Sequence, residues 1–118
     1  MENKYVDLEQ RTERFSLAVR DFCVMIKKDT INLEYIKQVV RSAGSVGANY
    51  IEANDGLGSK DKKMKIRISK KEAKESILWL KHIMTNGDME AENERLLLVK
   101  EADELMKIFA AILRKLGD

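Results

Sequence analysis

The chain contains no proline, one cysteine and one histidine in 118 residues. The single cysteine, Cys23, excludes an internal disulfide, and its position in an apolar stretch argues against a catalytic thiol. With Cys23 and His82 alone, the chain also lacks the ligand set of a zinc site. We therefore expect no metal and no cofactor, and a fold that its hydrophobic core stabilises by itself.

Long apolar runs are missing as well. The longest, Ile108 to Leu113, is far shorter than the roughly 20 residues that span a bilayer. The first residues carry charges where a secretory signal would have an apolar stretch. With 44% hydrophobic and 36% charged residues, the chain resembles neither a disordered segment nor a membrane protein. We expect one domain over residues 1–118, located in the cytoplasm and without a membrane partner.

Helical periodicity is present in four segments, and few glycines interrupt it. The predicted helices run from Leu8 to Lys28, from Leu33 to Asn54, from Lys60 to Met84 and from Met89 to Leu116. The predicted N-caps are Asp7, Asn32, Ser59 and Asp88. The Asn86-Gly87 pair predicts a turn before the last helix.

Apolar residues of the fourth segment alternate at spacings of four and three: Leu98, Ala102, Leu105, Phe109, Ile112 and Leu116. This repeat is typical of helices that lie along one another at a shallow angle. The short connections between the segments favour antiparallel neighbours. The sequence therefore predicts an all-α fold, an antiparallel up-down four-helix bundle.

One stretch of the second segment is distinctive: residues 41–53 read R-S-A-G-S-V-G-A-N-Y-I-E-A. It resembles the second-helix motif of the four-helix-bundle proteins encoded in intervening sequences of 23S ribosomal RNA genes. The other helices of that family are similar to residues 8–15, to residues 71–75 with Trp79 and Leu80, and to residues 100–105. The resemblance covers nearly the whole chain. It implies an up-down bundle, often a homopentamer, with no assigned enzymatic activity.

A related branch of these proteins is the accessory protein of diversity-generating retroelements. That branch binds nucleic acid and a reverse transcriptase, so the resemblance makes both of them candidate partners. No motif in this sequence selects that branch.

The outward arc of the second segment is rich in small polar residues where lysine and glutamate are usual on a solvated helix. Its members are Gln38, Arg41, Ser42, Ser45, Asn49 and Glu52. Small polar side chains let another backbone approach closely, so we predict that this arc is the interface of a homo-oligomer. Two alternatives stay open: an ordinary solvated face, and packing against another helix of the same subunit.

The third segment carries a concentration of positive charge. Residues 60–74 contain eight basic residues and two acids, whereas residues 88–104 contain seven acids and two basic residues. At about 100° per residue, six of the basic side chains fall within an arc of about 100°. This basic ridge consists of Lys60, Lys63, Arg67, Lys70, Lys71 and Lys74.

Such a ridge suits a phosphate backbone, because neutralising several phosphates releases counterions and gives affinity that depends on salt but not on base sequence. We predict that it binds RNA or DNA. No aromatic residue interleaves with these lysines, so base stacking is not predicted. Alternatively, the ridge is solvated or pairs with the acidic fourth helix of its own or a neighbouring subunit. The protein is then a protein-interaction or structural module.

Catalysis is not expected. Glu75, Trp79 and His82 share a side of the third segment. However, one carboxylate and one imidazole do not make an active site without a nucleophile, a metal set or a phosphate loop. We expect Glu75 to accept hydrogen bonds from a neighbouring helix and Trp79 to pack at the edge of the core.

Overall fold

The structure, a computed structural model, describes residues 4–117, with side chains from residue 7 onward. It consists of four helices: α1 (Lys4–Met25), α2 (Thr30–Ala53), α3 (Ser59–His82) and α4 (Met89–Lys115). Each helix packs against the next one in the chain, and α4 closes the bundle by packing against α1. The predicted all-α four-helix bundle is confirmed.

Consecutive helices run in opposite directions. Between α2 and α3, Arg41 bonds to Glu72, and Glu52 bonds to Lys65. A later residue of α2 is thus paired with an earlier residue of α3, which is the order expected for antiparallel helices. Between α1 and α4, Arg11 in the first half of α1 bonds to Glu104 in the second half of α4. The chain is therefore folded up and down, as predicted.

The core draws buried side chains from all four helices. The aromatic rings of Tyr50 and Phe109 pack against each other with centroids 5.6 Å apart. Gly47 lets α1 approach α2, because a Cβ at this position would lie only 3.0 Å from Thr12 Oγ1. Gly47 is therefore a point of close packing between α1 and α2.

Asp88 caps α4 as predicted: its carboxylate accepts from the backbone N–H groups of Glu90 and Ala91. The other predicted caps are wrong. Because α1 already begins at Lys4, Asp7 lies inside its first turn, where a carboxylate still interacts favourably with the helix dipole. The N-cap of α3 is Gly58, one residue before the predicted Ser59.

Asn32, the predicted cap of α2, has a different role. Asp29 is the cap, and its carboxylate accepts from the Asn32 N–H at 2.8 Å. The Asn32 side chain is fully buried and donates to the carbonyl oxygens of Lys27 at 3.0 Å and Met84 at 2.9 Å. Its Oδ1 accepts from the Met84 N–H at 2.9 Å. One amide thus ties the α1–α2 connection to the chain that follows α3.

We predict that Asn32→Ala lowers the free energy of unfolding by about 2–4 kcal/mol, since it removes three hydrogen bonds and leaves partly buried backbone groups without partners. Asn49→Ala is the matched control, because the Asn49 amide donates to Ser45 within the same helix. Its effect should stay within about 0.5 kcal/mol. Denaturant unfolding measures both, and equal effects would contradict the bridging role of Asn32.

Candidate nucleic-acid interface

Buried hydroxyl groups join α2 to α3. Ser42 Oγ and Ser76 Oγ lie 2.9 Å apart, and Ser69 Oγ donates to the Val46 carbonyl oxygen at 2.9 Å. All three serines are completely buried. Serine side chains are small, so the two backbones come close while each hydroxyl keeps a partner. We call this set of contacts the serine seam.

An ion pair with a buried carboxylate borders the serine seam. Arg41 Nη1 donates to Glu72 Oε2 at 2.9 Å, and Arg41 Nη2 lies 3.5 Å from Glu75 Oε2. Glu72 is only 4% exposed. Loss of solvation raises the pKa of the Glu72 carboxyl; the Arg41 charge opposes this rise, and the nearby Glu75 adds to it. The expectation that Glu75 accepts a hydrogen bond from a neighbouring helix is confirmed.

The basic ridge lies on the side of α3 opposite the serine seam. Its side chains Lys60, Arg67, Lys71 and Lys74 are exposed, while Lys63 and Lys70 are half-buried. Within residues 4–117, none of the five ridge lysines lies within ion-pair distance of a carboxylate. By contrast Lys65, which lies off the ridge, contacts Glu52 at 2.6 Å. Five like charges thus share one face without a counter-charge from the described part of the chain.

The acids of α4 do not reach these lysines. Glu101 and Glu104 bind Arg11 at 2.8 and 2.7 Å, and Glu92 binds Arg95 at 2.6 Å. Pairing of the ridge lysines with α4 of the same subunit, one of the alternatives left open by the sequence, is not found for those five residues. Pairing with the fourth helix of a neighbouring subunit, the other part of that alternative, stays a prediction.

The predicted oligomer arc of α2 is only partly turned outward. The placement of Ser42 on that arc is wrong, because its hydroxyl belongs to the serine seam. Arg41 and Glu52 point along the surface to α3 and form ion pairs there. A polar residue at the edge of a helical arc looks the same in sequence whether it faces water or a buried partner. Of the remaining members, Gln38 is exposed, and Ser45 and Asn49 are half-buried.

An aromatic cluster, which the sequence reading missed, joins α2 and α3 near the end of the ridge. The rings of Tyr35 and Trp79 are stacked, with centroids 6.1 Å apart and an interplanar angle of 25°. His82 meets both rings edge-on, at 5.3 Å from Tyr35 and 5.9 Å from Trp79. Part of the signal was available, since the predicted antiparallel order of the two helices places the start of α2 near the end of α3, but the register that brings Tyr35 onto Trp79 was not.

Cys23 and His82 were both weighed for catalysis, and the structure describes the surroundings of each. Cys23 is buried, and desolvation raises the pKa of its thiol to about 11, so it is not a thiolate near neutral pH. His82 Nδ1 donates to the Leu78 carbonyl oxygen at 2.7 Å. Among the described residues, no three histidine, cysteine or acidic side chains are grouped as a metal site requires.

Comparison with known proteins gives one family. A sequence model of the family described as 23S rRNA-intervening sequence protein matches residues 4–111. No curated protein and no solved structure was found to match the chain. In the described part of the chain, no helix has the length and apolar character needed to cross a membrane.

The raised pKa of Glu72 predicts how stability varies with pH. A carboxyl whose pKa is higher in the folded state takes up its proton first in that state. The wild type should therefore gain stability relative to Glu72→Gln as the pH falls from above the raised pKa toward the ordinary value of 4.5. Denaturant unfolding of both proteins at several pH values measures this difference. A constant difference, or one that shrinks as the pH falls, would contradict the assignment.

Proposed function

The chain belongs to the 23S rRNA-intervening sequence protein family. From that premise, we propose that it is a non-enzymatic protein that binds RNA or DNA through the basic ridge of α3. The observation that carries this proposal is the set of exposed or half-buried ridge lysines, for which the described part of the chain supplies no counter-charge within ion-pair distance. Folding gains little from such charges, because like charges on one helix face repel. Their presence on one face is explained by a polyanionic partner.

The ridge has the dimensions of an extended binding track. From Lys60 to Lys74 it follows α3 for about 21 Å, at 1.5 Å per residue. Lysine ammonium groups on flexible stems bind phosphates as point charges and read no base edges. Binding is therefore electrostatic and independent of base sequence, with each neutralised phosphate adding to the dependence on salt.

Several features of the structure support a binding role without catalysis. The only thiol is buried, and its raised pKa keeps it protonated. Glu75 is engaged by Arg41, and the His82 ring is held by its own helix through Nδ1. The ridge itself presents ammonium and guanidinium groups, which are suited to holding an anion.

Self-association is part of the proposal. Large apolar side chains are exposed on α1 and α4, including Val24 at 72%, Met89 at 67%, Leu96 at 63% and Leu97 at 61%. On α2, Gln38, Ser45 and Asn49 keep the small polar surface first predicted for a subunit contact. A closed oligomer would repeat the ridge several times, and multivalent contact strengthens weak electrostatic binding without new chemistry.

Native mass spectrometry tests this part directly. We expect a species that is a whole-number multiple of the 13.6 kDa chain, and the family resemblance predicts five copies. Leu97→Glu should lower the mass if α4 forms the contact, whereas Ser45→Glu should lower it if α2 does. A monomer at micromolar concentration would contradict self-association, while leaving the ridge as a single binding face.

Charge reversal tests nucleic-acid binding. Replacing Lys63, Arg67, Lys70 and Lys74 by glutamate should abolish binding of generic RNA and DNA in a fluorescence anisotropy assay. The helical signal and the oligomer should persist, because these side chains lie opposite the serine seam. Wild-type affinity should fall steeply as salt rises, in proportion to the number of phosphates contacted.

A matched control separates the ridge from overall charge. Glutamate at Arg14, Lys27, Lys100 and Arg114, all exposed and outside α3, reverses the same number of charges. Either variant changes the net charge from +2 by eight units to −6. The control should weaken binding far less than the ridge variant. An equal loss of affinity in both variants, or a wild-type affinity that does not change with salt concentration, would exclude the ridge as the nucleic-acid site. Either result would favour a role in protein contacts.

A further inference from the structure

The aromatic cluster of Tyr35, Trp79 and His82 continues the basic ridge. His82 lies eight residues beyond Lys74, about 12 Å along α3, and about 20° around the helix from Lys71. Between them Leu78 lies within the arc of the ridge and is 46% exposed. The positively charged track therefore leads into an apolar and aromatic surface on the same side of the molecule.

Packing alone does not explain why position 79 is a tryptophan and not a purely apolar residue. Its Nε1–H is buried and has no hydrogen-bond acceptor among the residues that the structure describes. Burying an N–H without a partner costs stability, and phenylalanine or leucine would cover the edge of the core without that cost. What the indole adds is a broad, electron-rich ring, against which Tyr35 is stacked.

Part of the cluster stays accessible. His82 is exposed, while Tyr35 and Trp79 are half-buried. Tyr35 is stacked against Trp79, so the face of the indole toward Tyr35 is occupied within the cluster. Each ring is held in place: His82 by its bond to the Leu78 carbonyl oxygen, and Tyr35 by its stacking on Trp79. Rings that are already ordered lose little conformational freedom when a ligand stacks on them.

We propose that Tyr35 and His82, supported by Trp79, form a platform on which one unpaired base stacks while the basic ridge holds the adjoining phosphates. This inference rests on the proposed nucleic-acid binding and adds a preference to it. A base inside a duplex is already stacked, so only a single strand offers a free base face. Stacking is tolerant of base identity and therefore agrees with a ridge that reads no sequence.

Trp79 provides the measurement, because it is the only tryptophan of the chain. The probes are an oligothymidine strand, a strand of equal length with abasic residues, and a duplex with the same number of phosphates. We expect the oligothymidine to change Trp79 emission and to bind roughly fivefold or more tightly than the abasic strand, as expected for stacking of one base. The duplex and the abasic strand should leave the emission unchanged.

Two variants isolate the platform while keeping the ridge and the reporter. Tyr35→Leu and His82→Ala should each weaken oligothymidine binding toward the abasic value, roughly fivefold or more, with an unchanged dependence on salt. Binding of the abasic strand should not change. Val40→Ala, an exposed apolar position elsewhere on α2, is the control and should alter neither strand. Circular dichroism confirms that each variant is folded.

The outcomes separate the two proposals. If both strands bind equally and Tyr35→Leu has no effect, while ridge reversal abolishes binding, the platform is wrong and nucleic-acid binding stands. Tighter binding of the duplex than of the single strand would also overturn the platform. If no probe binds at low salt, the proposed function fails and the platform fails with it.

Discussion

The rotation of α3 about its own axis is the constraint on which the rest of the molecule depends. The serine seam and the Arg41–Glu72 pair fix it, because each polar group finds its partner at one setting. A helix rotated by one residue, about 100°, would break the contacts of Ser76 with Ser42 and of Ser69 with Val46, and would move the buried Glu72 carboxylate away from Arg41. Apolar side chains alone tolerate several settings, whereas buried polar contacts penalise all but one. The lysines face outward because the serines must face inward.

The ends of the helices add a second constraint. Asn32 joins the chain before α2 to the chain after α3, so the start of α2 and the end of α3 stay in register. The same two ends carry Tyr35 and Trp79, whose stacking requires that register. Arg95 of α4 reinforces the junction, since its guanidinium donates to the carbonyl oxygens of Leu80 and Ile83. A buried amide and a capped helix end thus position the aromatic cluster.

The sequence predicts the bundle well because hydrophobic periodicity reports which face of each helix is buried, and all four helices were found within a few residues of their bounds. It fails where a polar residue is buried with a partner. Ser42 and Asn32 look like surface or capping residues, since serine and asparagine are common in both roles. Only the neighbouring helix or connection reveals the bonds to Ser76 and Met84. Tyr35 was missed for a related reason: its contact with Trp79 depends on the register between two helices.

Net charge describes this protein poorly, because its acids and bases are used differently. Some of the acids of α4 form ion pairs with Arg11 and Arg95, whereas the five ridge lysines have no ion-pair partner among the described residues. Neighbours on the ridge, such as Lys70 and Lys74 one turn apart, repel by a few tenths of a kcal/mol per pair. A bound polyanion removes this repulsion, so the charges that weaken α3 in the free protein are the ones that gain most from binding. The packing that turns the serines of α3 inward thus leaves the ridge lysines, exposed or half-buried, on the opposite side of the helix, and the proposed affinity for an anionic partner follows from that same packing.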